Sequence, residues 1–415
     1  MDTELKDLNP NPKNNQRQAE QITDEGNRPL LKHDAQHSDD HRNNPNLPPP
    51  SKPTTAAELE EMEKKFAAYV RNDVYGPMGL GEVPLSEKLL LVVAMLTLVP
   101  LRLIIGITIL VLYYLICKIC TLFSTPNRSE EGEGHHQQED YAHLGGWRRV
   151  VIVMSGRFLS RALLFTFGFY WIPETNRNLK LDDIPGKLCD QNERTDELEE
   201  PERPGAVISN HVSYVDILYH MSSSFPSFVA KRSVGKLPLV GLISKCLGCV
   251  YVQREDKSSD FKGVSGVVTE RIKEAHENRN APMMLIFPEG TTTNGGFLLP
   301  FKTGAFIAGA PVLPVILRYP YQRFSPAWDS ISGVRHVVLL LCQFRNYLEV
   351  MKLPIYYPSK EEKDDPKLYA NNTRKLMANE GNLILSDIGL PEKRIYHAAL
   401  NGNNSLHSVF RQKTD

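Results

Sequence analysis

The stretch LLLVVAMLTLVPLRLIIGITILVLYYLIC, Leu89 to Cys117, is 29 residues long and carries one charge, Arg102, and one proline, Pro100. About 20 apolar residues span a bilayer, so one crossing fits with length to spare. A soluble core has little use for so long a helix that is apolar all round. A charge held at the bilayer centre costs about 3 kcal/mol. The chain avoids that by bending at Pro100, as a re-entrant hairpin or as an interfacial helix leading into a crossing, and the number of crossings stays open.

Other segments extend this anchor. Residues 56–71 place Leu59, Met62, Phe66 and Val70 at helical spacing, the pattern of an amphipathic helix lying against the membrane or the body. Residues 150–172 carry Arg157 and Arg161 four apart among Phe, Leu, Tyr and Trp, the composition of an interfacial helix whose basic face suits anionic headgroups. The expected organisation is a disordered tail over 1–55, an anchor over 56–123 and a linker with an interfacial helix over 124–204. The tail follows from its Asn, Asp, Gln, Lys and Pro content, which offers too few apolar groups to offset the entropy of ordering.

Charge and cysteine content narrow the partners. With 48 Lys+Arg against 49 Asp+Glu, the chain lacks the global basic excess of a nucleic-acid binder, so any anion is met by a local site. Six cysteines in 415 residues are too few and scattered for a disulfide framework, which points to reduced thiols. CKIC (Cys117, Cys120) and CLGC (Cys246, Cys249) are not expected to converge on zinc, and no metal site is expected.

From Ala206 the texture becomes α/β. AVISN, SFVAK, CVYVQR, MMLIF, VLPVIL, HVVLLLCQF and EVMKLPIYY read as buried strands. Between them, residues 258–277 put Phe261, Val264, Val268 and Ile272 on one helical stripe, and residues 366–390 also read as helical. Such alternation predicts an α/β fold, a mostly parallel helix-covered sheet over 205–390, preceded by N-terminal membrane anchor helices and followed by a tail over 391–415.

Two stretches carry candidate chemistry. In VISNHVSYVDIL, a separation of five residues would put His211 and Asp216 about 140° apart on a regular helix. They can meet only if His211 lies in a turn between a strand and a helix that begins near Ser213, which is where α/β folds place their sites. A carboxylate on Nδ1–H would leave Nε2 as a base for a substrate hydroxyl. In IFPEGTTTNG, a strand stops at Pro288 and is followed by Glu289, Gly290, Thr291, Thr292 and Thr293, whose N–H groups suit an anion or an oxyanion. An ordinary capped histidine and an ordinary β-turn are the plainer alternatives. Arg254, at the end of GCVYVQRED, could hold a phosphate bidentately or simply be solvated. The Pro-flanked strand in GAPVLPVILRY reads as core packing.

Taken in order, NHVSYVD, GCVYVQR, FPEGTTTN and APVLPV resemble the four blocks of the glycerolipid (PlsC-type) acyltransferase family, which acylates glycerol-3-phosphate and lysophospholipids. The likeness covers roughly residues 85–390 and is nearest to the plant lysophosphatidylethanolamine acyltransferases, close to the lysophosphatidylcholine acyltransferases. Two departures stand out: Thr292 occupies a position where many members carry arginine, and no D-x-D-x-D-G calcium loop is present. The resemblance implies that His211, oriented by Asp216, deprotonates a lysophospholipid hydroxyl that attacks acyl-CoA. N–H groups from Gly290 to Thr292 would hold the oxyanion, and Arg254 with Glu289 and Thr291 would position the polar head. Acyl-CoA is then a co-substrate, no cofactor is needed, and Lys231, Arg232 and Lys236 could meet the CoA phosphates. The membrane expected is the endoplasmic reticulum, with the catalytic domain on its cytosolic face. No G-x-S-x-G elbow occurs, which argues against a serine esterase. The rival readings are a CoA-independent transacylase and a catalytically silent lipid-binding scaffold.

Overall fold

In a computed structural model of the chain, the described residues are 56–129, 138–177, 203–252 and 260–401. The expected tail over 1–55, Cys189 and Arg254 lie outside them, as do the side chains of Leu59, Phe261 and Val264. Four helices come first: α1 (Ala56–Lys65), α2 (Leu85–Leu96), α3 (Leu98–Thr121) and α4 (Gly146–Thr166). The sheet and its covering helices follow in the order β1 (Glu174–Asn176), β2 (Ala206–Ser209), α5 (Val215–Ser223), β3 (Ser227–Lys231), α6 (Val240–Cys246), β4 (Val250–Val252), α7 (Asp260–Glu277) and β5 (Met284–Ile286). The chain continues through β6 (Val312–Arg318), α8 (Gly333–Cys342), β7 (Glu349–Lys352), α9 (Lys360–Asp364), α10 (Pro366–Gly381) and α11 (Leu390–Leu400).

The seven strands lie in the order β1-β7-β6-β2-β5-β3-β4. From β6 to β4 every pairing is parallel, while β7 joins β6 antiparallel and carries β1 alongside it. The mostly parallel, helix-covered sheet expected from the alternating pattern is therefore present. Side chains along a strand alternate between faces, and the core divides accordingly. Ala206 and Ile208 of β2 pack with Val268 and Ile272 of α7 and Tyr369 and Met377 of α10. Val207 packs on the other face with Ile152 and Leu159 of α4 and Tyr219 of α5. All four β2 residues are buried, as a central parallel strand covered on both sides requires.

Five elements differ from the sequence reading, one of them the helix expected over 366–390, which ends at Gly381 where Asn382 turns left-handed. HVVLLLCQF is helix α8, with His336, Leu339 and Leu340 buried and Val334 exposed; a short apolar run fits either period, and burial on one helical stripe decided it. EVMKLPIYY forms a strand only over Glu349–Lys352, and the edge strand β1 went unread. Residues 391–400, assigned to a tail, belong to α11, whose Tyr396 is fully buried in a cluster with Met62, Phe66, Tyr69 and Leu299. That cluster also answers where residues 56–71 lie: Met62, Phe66 and Val70 face the body.

The long apolar segment breaks at Thr97, one turn before Pro100. The physical cause is still the proline, because its ring would collide with the carbonyl four residues back, that of Leu96, where α2 ends. Pro100 itself sits in the first turn of α3, where no intrahelical N–H bond is lost. Among the described residues α3 is the one helix long and apolar enough to cross a membrane by length and composition. Val99, Arg102, Tyr113, Cys117 and Cys120 form a buried stripe along it, while Leu101, Ile104, Ile107 and Ile119 are exposed.

Arg102 is 3% exposed and donates to the carbonyls of Leu341 and Gln343 at 2.8 and 2.5 Å and to that of Phe344 at 3.0 Å. It thus caps the C-terminal end of α8, whose last carbonyls lack helical partners, and a cation there also complements the helix dipole. Arg102→Met is expected to destabilise the protein by about 3 kcal/mol, because several buried acceptors lose a charged donor together. Thermal unfolding in detergent micelles checks this, and an unchanged midpoint would oppose it. Arg161 is likewise engaged, donating to the carbonyls of Phe169 and Tyr170 at 3.0 and 2.6 Å, so of the expected headgroup-facing pair Arg157 alone is exposed.

Candidate active site

Because β6, β2, β5, β3 and β4 are parallel, their carboxyl ends share one edge of the sheet, the edge where open α/β folds bind ligands. His211 follows β2, Phe287 to Gly290 follow β5, Lys231 ends β3 with Arg232 following it, and Tyr319 follows β6. Residues separated by more than one hundred positions in sequence are thereby brought together.

His211 lies in the turn between β2 and α5, as its spacing from Asp216 required. Its Nδ1 is 2.9 Å from Asp216 Oδ2, and the same oxygen accepts the backbone N–H groups of Val212 and Ser213 at 2.8 and 3.0 Å. Asp216 sits in the first turn of α5, so its carboxylate folds back over the amides entering that helix. Oδ1 accepts the Tyr319 hydroxyl at 2.5 Å. The carboxylate is fully buried while the imidazole is one-fifth exposed. A carboxylate on Nδ1 places the proton there and leaves the Nε2 lone pair available.

Two further groups hold the turn. Asn210 donates to the Leu317 carbonyl at 2.9 Å and accepts from the Leu317 amide at 2.7 Å, so its side chain continues the β2–β6 ladder after the strand ends. Phe287 stacks on the His211 ring with centroids 4.1 Å apart and 17° between planes. Neither role was read from sequence. Asn210 lay inside the quoted turn, and a primary amide there is able to imitate a peptide group. Tyr319 ended a strand read as packing, and nothing local pointed its hydroxyl at Asp216.

The second stretch is differently arranged from expectation. Glu289 is buried, and its two oxygens accept the backbone N–H groups of His211 and Leu299 at 2.8 and 2.9 Å. It joins the β5 turn to the histidine turn and does not present its carboxylate to a headgroup. Gly290 has φ +72°, and its N–H closes a turn on the Phe287 carbonyl at 3.1 Å, which removes it from the expected oxyanion donors. Thr291 is partly exposed. Thr292 is buried, its hydroxyl donating to the Trp328 carbonyl and its own oxygens facing Lys393. Lys231 and Lys236 are exposed at the β3 end of the edge. Among the described residues no group of three or more His, Cys, Asp or Glu side chains could hold a metal ion. Cys117, Cys120, Cys246 and Cys249 are free thiols in one core cluster, with Cys246 hydrogen-bonded to Cys117.

Burial pushes the Glu289 carboxyl up to about 8, opposed by its two N–H donors and assisted by nearby Asp216. From its ordinary value of 4.5 up to about 8, folded Glu289 keeps a proton that the unfolded chain has released. The folded state then binds more protons than the unfolded one, so stability falls as pH rises through that window. Glu289→Gln is expected to flatten this slope. Melting temperatures measured between about pH 5.5 and 8.5 test it, and parallel curves for the two proteins would oppose it.

The His211–Asp216 pair stands at the carboxyl edge with the Ser213 hydroxyl turned to the Val215 amide and not to the imidazole, a geometry able to activate a substrate's own nucleophile. A family profile described as Acyltransferase matches residues 190–318, which include His211, Asp216, Arg254, Glu289, Gly290, Thr291 and Thr292. Over its whole length the chain is similar to lysophospholipid acyltransferase LPEAT1 of Arabidopsis thaliana, 61% identical with all of both chains covered. It is also similar to lysophosphatidylcholine acyltransferase 1 of Danio rerio, 32% identical over 72% of this chain and 52% of that one. The human lysophosphatidylcholine acyltransferase 2 is 32% identical over 59% of this chain and 41% of its own length. This chain therefore belongs to the lysophospholipid acyltransferase family, and the region it shares with those two animal relatives is about half their length or less. The 1-acyl-sn-glycerophosphate acyltransferase of Thermotoga maritima matches with a TM-score of 0.34 at 17% identity, covering 56% of this chain and 81% of that one, so the fold assignment rests on the sheet itself.

Proposed function

We propose that the chain transfers an acyl group from acyl-CoA to the free glycerol hydroxyl of a lysophospholipid, with lysophosphatidylethanolamine the favoured acceptor and lysophosphatidylcholine a further one. The observation that carries the reading is the His211–Asp216 pair in a chain 61% identical, end to end, to a lysophospholipid acyltransferase. His211 Nε2 takes the hydroxyl proton as the oxygen attacks the thioester carbonyl. The C–O bond forms, the C–S bond breaks, and the imidazolium returns its proton to the departing CoA thiolate. A thioester is already activated, so neither a covalent acyl-enzyme nor a metal is required.

With Gly290 engaged in its turn, the main-chain N–H groups of Thr291 and Thr292 are the oxyanion donors we assign. Arg254 is assigned to the phosphate of the headgroup, and Lys231, Arg232 and Lys236 to the phosphates of CoA. The exposed apolar residues of α2, α3 and α4, among them Leu89, Ile104, Ile107, Met154 and Phe158, are assigned to the lipid phase, which supplies both acyl chains. The host membrane in this reading is the endoplasmic reticulum, with the sheet on the cytosolic side.

Microsomes containing the chain, given oleoyl-CoA and lysophospholipids differing only in headgroup, test the proposal. Acyl-CoA-dependent product above empty-vector membranes supports it. Product that forms equally without acyl-CoA would replace it with transacylation between phospholipids, and no product on any acceptor would leave a lipid-binding role.

A further inference from the structure

Helix α11 lies outside the segment matched by the acyltransferase profile, yet one of its side chains reaches the loops behind His211. Lys393 is 8% exposed. Its Nζ donates to the Thr292 carbonyl and hydroxyl, both at 2.8 Å, and to the Trp328 carbonyl at 3.2 Å. Residues next to or at these acceptors hold the catalytic turn: the Thr293 N–H donates to the His211 carbonyl at 3.0 Å, and the Trp328 N–H to the Val212 carbonyl at 2.8 Å. One ammonium thus ties together the two loops that grip consecutive peptide groups of the histidine turn.

The surroundings suit a charge. Burial lowers the pKa of the ammonium to about 8, while nearby Asp329 acts in the direction that keeps it protonated. The Tyr69 ring lies 5.5 Å from Nζ. The helix carrying Lys393 is itself docked by the Tyr69 hydroxyl on the Gly389 carbonyl at 2.6 Å and by Tyr396 against Phe66. A buried amine with three oxygen acceptors has little freedom, so the positions of Thr292 and Trp328 are set together.

We propose that Lys393 is a positioning residue for acyl transfer, holding the Thr291–Thr293 loop and the Trp328 loop in register so that His211 meets the substrate hydroxyl and the thioester at working distance. This rests on the acyl-transfer reading above. It places a determinant of the chemical step in the C-terminal helix. It also gives the Thr292 position a cation supplied from elsewhere in the chain.

The test compares Lys393→Met, which keeps the stem and removes the charge, with Tyr69→Phe, which loosens the docking of α11 and leaves Lys393 in place. Both are made in the full chain and assayed with oleoyl-CoA and lysophosphatidylethanolamine. A small misplacement of reacting groups lowers turnover steeply, so Lys393→Met is expected to reduce kcat about 10- to 100-fold with both KM values within about twofold. Tyr69→Phe is expected to keep kcat within about twofold even where its melting temperature falls as far. Equal kcat losses in the two variants at equal loss of melting temperature, or an unchanged kcat in Lys393→Met, would overturn the proposal. Should Lys393→Met not be recovered folded, Thr292→Val removes one acceptor and is expected to lower kcat about threefold or more, an unchanged kcat again overturning it. Hydrogen exchange separates this outcome from a failure of the acyl-transfer reading. If wild type shows no activity on any acceptor, faster exchange at the Thr293 and Trp328 amides in Lys393→Met still supports the clamp, and unchanged exchange rejects it.

Discussion

His211→Ala is expected to lower the rate of acyl transfer about 10³-fold, within the range a positioned general base supplies. The loss should fall on kcat, since in the proposed mechanism the imidazole acts on the hydroxyl as it attacks and holds little of either substrate's bulk. The fold should survive. The ring is one-fifth exposed, its contacts are the Asp216 carboxylate and the face of Phe287, and the backbone bonds of residue 211 to Glu289 and Thr293 do not involve the side chain. Removing it leaves Asp216 with the Val212 and Ser213 amides and the Tyr319 hydroxyl still bound. The check is initial rates from membranes matched for the amount of folded protein. Rates within threefold of wild type would remove His211 from the mechanism.

The second large effect is expected at Asp216, and it divides by substitution. Asp216→Asn can keep its carbonyl oxygen toward His211, Val212 and Ser213 and turn its amide toward the Tyr319 oxygen, so the geometry is retained. What disappears is the negative charge that stabilises the imidazolium formed during transfer, and kcat is expected to fall about 100-fold. Asp216→Ala removes the acceptor altogether. Two buried amides, a buried hydroxyl and the ring N–H lose their partner, which is expected to destabilise the protein by about 3 kcal/mol or more and to abolish measurable turnover. Melting temperature and kcat measured together separate the two effects. An asparagine variant as active as wild type would mean that the carboxylate acts only as a hydrogen-bond acceptor for the turn.

The two effects follow from how the site is assembled. Asp216 is bound to four groups and Glu289 to two, and in both cases the partners include the backbone of the histidine turn. The neighbouring loops contribute through Thr293, Trp328 and Lys393. His211 therefore has little local freedom, although it stands in a turn. The buried ion cluster of Arg71 with Asp73 and Asp329 lies next to this arrangement and carries the Trp328 loop.

Several features were legible in the sequence because they depend on near neighbours. The five-residue spacing of His211 and Asp216 demanded a turn followed by a helix start, and that is the arrangement found. The strands AVISN, SFVAK and MMLIF were readable from apolar runs bounded by turn residues, and a parallel sheet from their alternation with helices. The break in the long apolar segment was also encoded locally, although the carbonyl that Pro100 excludes lies four residues upstream. HVVLLLCQF was misread because nine apolar-rich residues satisfy a buried strand and a buried helix equally well, and what decided between them was the face offered by α2 and α3.

What the sequence by itself determined, then, is most of the pattern of elements, the turn that presents the histidine, and the acyltransferase family to which the chain belongs. The tertiary structure alone decided which groups surround that pair. Tyr319 lies 103 residues from Asp216 and Lys393 lies 101 residues from Thr292 in the chain, and both contacts exist only because parallel strands share a carboxyl edge and α11 packs back across it. It also decided that Arg102 serves a helix end, that Arg161 holds the Phe169 and Tyr170 carbonyls and not a lipid headgroup, and that Glu289 holds backbone and not substrate. A charged side chain satisfies whichever unpaired polar groups folding leaves within its reach, and those groups come from segments that local sequence does not specify.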